Sequence, residues 1–178
     1  MMAPSSPCLV AVFVAVWLQF FSISASKKSI DAICHHVTDK RFCIKTLTAY
    51  PPAASATNTF QTVSAAIHVA ESYAEKCRKF TEKTAKENPK MKEQFMACQD
   101  AYHRIVMSLR SAAGELKVSP DTSNYDVMVC TDQTTMVKDL VGKNRDVASN
   151  TIMKMTLMMN KLIAIAAAAT DLLFPTEP

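Results

Sequence analysis

Four stretches of this chain place apolar residues at alternating intervals of three and four, the spacing that lines one face of a helix packed on other helices. The first runs Phe60, Val63, Ile67, Ala70, Ala74, Cys77, and the second Met91, Phe95, Cys98, Tyr102, Ile105, Leu109, Ala112. The third is shorter, Val127, Cys130, Thr134, Val137, Val141, and the fourth is the most regular: Ala148, Ile152, Met155, Met159, Leu162, Ala166, Ala169, Leu173. Glycine narrows the choice further. Only Gly114 and Gly142 occur in 178 residues, so the glycine-dependent turns of β-hairpins are missing and strand signals are nearly absent. The fold class is therefore all-α.

Local signals mark the helix ends. Asn58 precedes the first seam as an N-cap, with Gln61 at the capping-box distance. Asn88-Pro89 opens the second helix with proline at its first position, where the missing N–H costs nothing. Ser119-Pro120 opens the third, Gly142 closes it, and Pro175 stops the fourth. The connections near 86–89, 115–120 and 142–146 are short, so successive helices run antiparallel. Residues 57–174 are thus expected to form an up-down-up-down four-helix bundle.

A different unit precedes the bundle, over residues 27–52. Ser29 to Val37 and Asp39 to Leu47 read as two short helices, ended by Tyr50-Pro51-Pro52. Neither is long enough to hold alone in water. Cys34 and Cys43 flank the turn between them, and a bridge there would stabilise the pair by about 2.7 kcal/mol on the chain-entropy model.

The amino terminus reads as a secretory signal. No Lys, Arg, Asp or Glu precedes Lys27, Leu9 to Phe21 is almost wholly apolar, and Ser24-Ala25-Ser26 supplies small residues for cleavage. The apolar core is short for a membrane span, and no second run of membrane length is convincing. Residues 1–26 are expected to leave, giving a mature domain over 27–178 that is secreted to the extracellular space (with the vacuole as the alternative) and free of the membrane after cleavage. The mature part keeps the net charge of +4. That balance suits an anionic surface such as an acidic extracellular matrix. It is too dispersed for nucleic acid, because no basic run is interleaved with aromatic residues.

Cys8 leaves with the signal, and five cysteines remain: Cys34, Cys43, Cys77, Cys98 and Cys130. An oxidising destination favours disulfides, and five thiols allow fifteen two-bridge pairings. Cys98 and Cys130 sit on the seams of neighbouring antiparallel helices, which can bring them face to face. Cys77 also lies on a seam. It reads as a buried thiol acting as a small hydrophobe, with an intermolecular bridge or a competing bridge to Cys98 or Cys130 as alternatives.

Catalytic chemistry finds little support. Two glycines leave no room for a phosphate loop or a nucleophile elbow. Adjacent His35 and His36 cannot share a helix face, and His68 and His103 fall one position beyond seam residues, so no metal site is expected and no cofactor is implied. Glu71, Glu75 and Glu82 are interleaved with Lys76, Arg78, Lys79 and Lys83, the pattern of a solvated charged face. Met153, Met155, Met158 and Met159 read as plastic core filling, or alternatively as a Met-rich partner groove.

The block Cys34, Cys43, Thr46, Leu47, with Phe42-Cys43-Ile44-Lys45-Thr46-Leu47 at its centre, resembles the opening of the plant invertase and pectin methylesterase inhibitor family. Cys98, Tyr102 and Leu109 match that family's next motif, a cysteine followed by Tyr after four residues and Leu after seven more. The resemblance covers essentially the whole mature chain. It implies a bridge from Cys98 to Cys130 alongside Cys34–Cys43, with Cys77 left as a free thiol. Three departures stand out. The stretch Tyr125–Cys130 is shorter than is usual in the family, and Val127-Met128-Val129 replaces a Ser-Ala-Ala run. Ser119-Pro120-Asp121-Thr122 stands where some invertase inhibitors carry Pro-Lys-Phe.

The resemblance implies a secreted, non-enzymatic inhibitor whose partner is a wall or vacuolar invertase, or else a pectin methylesterase, blocked by steric cover of its cleft. Phe42, Ile44, Lys45 and Pro120 are the expected contact residues. The invertase is preferred because Phe-Cys-Ile-Lys-Thr-Leu resembles the invertase-inhibitor-like branch. The net charge predicts a salt-sensitive contact, and His35 and His36 beside the hairpin turn predict a pH-dependent one. A secreted helical ligand or carrier is the alternative of a different class.

Overall fold

The computed structural model describes residues 25–173, and every regular element among them is helical. The expected signal lies outside these residues except for Ala25 and Ser26. Both belong to the first helix, α1 (residues 25–35). Ser26 is buried, and its hydroxyl donates to the Ala53 carbonyl at 2.7 Å. The residue at the expected cut is thus tied into the hairpin unit.

Helix α2 spans Lys40–Ala49 and begins on Asp39, whose carboxylate accepts the Phe42 N–H. The Cys34–Cys43 disulfide joins α1 to α2, with the Cα atoms 5.5 Å apart. Pro51 and Pro52 end α2, as expected, but also begin a single turn, α3 (Pro51–Ala54). The proline ring pushes the preceding Tyr50 into an extended conformation, and Pro51 and Pro52 then occupy first-turn positions that need no N–H partner.

The bundle follows: α4 (Thr59–Glu87), a 3₁₀ turn at Pro89–Met91, α5 (Lys92–Glu115), α6 (Pro120–Met128), α7 (Cys130–Val141) and α8 (Val147–Asp171). Asn58 caps α4 by accepting the Gln61 N–H at 2.9 Å, and the Gln61 side chain accepts the N–H of Thr57 rather than that of the cap residue. Asp146 caps α8 through the Ser149 N–H at 2.8 Å. Helix α4 packs on α5 and α8, α5 also on α6 and α7, and α6 and α7 on α8. A ring of four antiparallel columns results, with the seams turned inward. Val63, Ile67, Phe95, Tyr102, Ile105, Leu109, Val127, Val137, Ile152 and Met159 are all buried. The first seam frays at its start, where Phe60 is 41% exposed. Helix α8 is long and apolar enough to cross a membrane by length and composition, but more than half of that stretch is buried against the other helices.

Polar contacts fasten the ends of the bundle. The Ser123 hydroxyl donates to the Ala112 carbonyl at 2.8 Å, and the Asn124 amide donates to Thr170 and Asp171. At the other end Asn144 donates to Gln94 at 2.7 Å and to Ser149 at 3.0 Å, while Gln94 donates to the Leu140 carbonyl.

Two expectations need correction. The third column is two helices, not one, with Val129 interrupting it between α6 and α7. Cys98 and Cys130 are free, buried thiols rather than a bridge, as is Cys77. The reason is axial register. Cys130 Sγ lies 3.9 Å from the Ile105 carbonyl and 3.4 Å from that of Asp126. Ile105 is seven residues beyond Cys98 on α5, about 10 Å along the axis at the helical rise. A disulfide spans Cα atoms no more than about 7 Å apart. Both cysteines face inward, but at different heights.

Candidate functional site

The outer part of the hairpin offers the most structured exposed surface that the sequence singles out. Ile30, Ile33, Cys34, Cys43 and Leu47 are buried and hold α1 and α2 against the bundle. Phe42 is half-buried and stands between two shallow apolar grooves. One is lined by Val37, Thr38, Asp39, Asn160, Lys161 and Ile165, and the other by Thr46, Val69, Tyr73, Lys76, Met158 and Leu162.

Lys161 locks this corner. Its ammonium lies 5.2 Å from the centre of the Phe42 ring and 2.8 Å from Asp39 Oδ2. Asp39 Oδ1 meanwhile accepts the Phe42 N–H at 3.1 Å. One carboxylate therefore caps α2 and ties the turn to α8. The Lys161 hydrogen bond, followed by that from the Phe42 N–H, holds the Asp39 carboxyl below its ordinary value. The pair is partly exposed, so its role is to fix the Phe42 ring rather than to contribute much stability.

The four expected contact residues are not all brought together. Phe42 divides the grooves, Lys45 is exposed on the same helix, and Ile44 is half-buried against the core. Pro120 begins α6, which packs on α5 and α8, and it lines neither groove. Asp39, Tyr73, Met158, Lys161 and Leu162 join Phe42 instead. No spacing rule could have found them, since Asp39 and Lys161 are 122 residues apart. The sequence carried only a weak hint, a helix-capping Asp beside an aromatic residue.

The histidines are scattered. His35 and His36 are exposed, edge to face at 5.3 Å. His68 is exposed and contacts Glu71 at 3.2 Å, and His103 is exposed on α5. Among the described residues no three His, Cys, Asp or Glu side chains gather as metal ligands would. The three free thiols sit in the core, where burial pushes each up to about 12. As neutral thiols they are poor nucleophiles. The Tyr102 ring fills the bundle interior. Its hydroxyl lies 2.7 Å from Thr156 Oγ1, and because that group already donates to the Ile152 carbonyl, Tyr102 is the donor. Burial, the largest influence, raises the Tyr102 hydroxyl, which stays protonated.

The family model for the plant invertase/pectin methylesterase inhibitor matches residues 28–168. Among solved structures, a mutant form A of a pectin methylesterase inhibitor from Arabidopsis superposes with a TM-score of 0.70 at 19% identity, covering 84% of this chain and 99% of the other. A pectin methylesterase inhibitor from Arabidopsis thaliana gives a TM-score of 0.60 at 19% identity, covering 84% and 98%. At that identity the two likenesses speak for the fold. A search of curated proteins finds no match.

Proposed function

The chain belongs to the plant invertase/pectin methylesterase inhibitor family, and we propose that within it the protein is a secreted inhibitor that blocks a plant cell-wall or vacuolar invertase by steric binding. It is not an enzyme. The observation that carries the reading is the Phe42 corner, an aromatic ring clamped by Lys161 and flanked by apolar grooves on a disulfide-braced hairpin. A half-exposed, immobilised aromatic residue is the kind of anchor that interfaces use, because little conformational freedom remains to be lost on binding. No residue of this chain has to react. Phe42 and Lys45 of the Phe-Cys-Ile-Lys-Thr-Leu block supply the apolar and charged parts of the contact, and the preference for invertase follows that block's resemblance to the invertase-inhibitor-like branch.

Pectin methylesterase is the second reading, favoured by the two solved structures of similar fold, both described as inhibitors of that enzyme. Titrating the secreted protein against purified invertase and pectin methylesterase, at acidic and neutral pH and two salt concentrations, separates the readings. Invertase inhibition that weakens at least about tenfold on Phe42→Ala, the loss of an interface anchor, supports the first. Inhibition of pectin methylesterase alone replaces the target. Inhibition of neither points to a helical ligand or carrier, against which the Tyr102-filled interior already weighs.

A further inference from the structure

We propose that the outer face of the N-terminal hairpin is a binding surface for a linear acidic polysaccharide, recognised through its carboxylates. The charge distribution carries this inference. Lys27 and Lys28 on α1, and Lys40, Arg41 and Lys45 on α2, are all exposed. Among the described residues none of the five has a carboxylate within ion-pair distance. On α4, by contrast, Arg78, Lys79, Lys83 and Lys86 each pair with Glu75, Glu82 or Glu87. The hairpin's own carboxylates are Asp31 and Asp39, and Asp39 is already bonded to Lys161 of α8. The unit thus holds a surplus of positive charge, whereas α6 and α7 carry four aspartates against Lys138 alone. A net charge of +4 understates the local field that a polyanion meets at the hairpin.

Geometry gives the surface its shape. The Cys34–Cys43 bridge and the tight turn beside it set α1 antiparallel to α2. By helical periodicity Lys28, Arg41 and Lys45 fall opposite the buried residues Ile33, Cys34, Cys43 and Leu47, while Lys27 and Lys40 are exposed at the flank of that face. They are strung along about ten residues of helix, roughly 15 Å, which a flexible chain with regularly spaced carboxylates can follow.

Other polyanions fit less well. No large apolar residue of the hairpin is exposed, so nothing is offered for insertion into a lipid interface. Four of the five cations are lysines, point charges that suit dispersed carboxylates better than the planar fork with which arginine grips phosphate. The exposed aromatic rings of the hairpin, His35 and His36, are set edge to face against each other at the turn and are not spread along the cations as a stacking platform for bases.

The test uses the secreted full-length protein and polygalacturonate as the probe, with a fully methyl-esterified form of the same polymer as the uncharged control. Binding to the acidic polymer alone is expected, and it should weaken at least about tenfold between 0.05 and 0.2 M salt through loss of counter-ion release. The variant K27E/K28E/K40E/R41E should abolish retention while keeping the native helical signal and melting transition. K79E/K83E/K86E on α4 should retain it. Equal binding to the esterified polymer, equal loss in both variants, or no binding at low salt overturns the proposal. Comparable binding to duplex DNA or to phosphatidylserine vesicles also overturns it, because the carboxylated chain would then not be what is recognised. Enzyme inhibition is assayed separately without polymer, so failure of either reading leaves the other standing.

Discussion

Gly114 and Gly142 share a residue type and little else. Around Gly114 a Cβ would meet nothing within 4 Å, in an exposed position near the end of α5. Around Gly142 it would meet the Lys138 carbonyl at 2.7 Å and Met153 Cε at 3.6 Å. Gly142 closes α7 in right-handed geometry, so space, not a left-handed turn, demands glycine there. Gly114→Ala should therefore stabilise the protein by about 0.5–1 kcal/mol, and Gly142→Ala should destabilise it by about 1 kcal/mol or more. Denaturant melts of the two variants check both signs. The thiols give a second prediction at this scale. Cys77, Cys98 and Cys130 are buried and protonated, so a thiol reagent should label none of them in the native protein and all three after unfolding without reductant. Mass spectrometry then counts three labels per chain. A count of one would restore a Cys98–Cys130 bridge.

The helices separate what was legible in the sequence from what was not. The 3-4 seams named the inward face of each bundle helix, because facing is a property of one helix alone. Asn58 as the cap of α4 and Pro120 as the start of α6 were equally local, and the structure has both. Axial register is a property of two helices at once, and no periodicity encodes it. For that reason Cys98 and Cys130 were expected to meet and do not. The interruption at Val129 was invisible for a related reason: the residue is helical in conformation, and only its hydrogen-bonding pattern departs. The Phe42 corner depends on Lys161 from the far end of the chain, which local rules cannot reach. The hairpin, unlike the bundle, depends on its covalent brace. Cys34→Ser with Cys43→Ser should speed amide exchange throughout α1 and α2, while the central turns of α4, α5 and α8 keep their protection. Equal loss in both regions would show that hairpin and bundle unfold as one unit.

Across the whole molecule, carboxylates tie helices together and make stability depend on acid. Glu75 is held down to about 2, first by its hydrogen bond from Arg78 and then by the charges of Arg78 and Lys79. Glu71 lies 2.7 Å from Arg110 and so joins α4 to α5. Burial pushes its pKa up, but the Arg110 and His68 contacts outweigh this and lower it. Glu82 and Asp146 are also lowered. A depressed native pKa stabilises the fold above the unfolded value and loses that contribution as pH falls through the native value. Stability should therefore hold above about pH 4.5 and decline from there towards pH 2. Glu71, Glu75 and Asp146 are largely solvated, so each contributes no more than about 1 kcal/mol. Thermal melts from pH 6 to pH 2 check the window. Glu75→Gln should shallow the slope, and 0.5 M salt should shallow it in every variant.

The disulfide closes residues only nine positions apart, near the end of the chain that is made first. Cys34 and Cys43 are both synthesised before Cys77, Cys98 or Cys130 exists, so in an oxidising compartment the correct partner is for a time the only downstream one. By the time the other thiols arrive, the bundle can sequester them. The order of synthesis thus selects one bridge from many pairings. Nascent chains long enough for Cys43 but not Cys77 to have reached the oxidising compartment should already carry the bridge, whereas full-length protein refolded from the fully reduced state should pass through mispaired forms. Reduced cysteines in the short nascent chains, or clean re-oxidation of the full-length protein, would remove any role for timing.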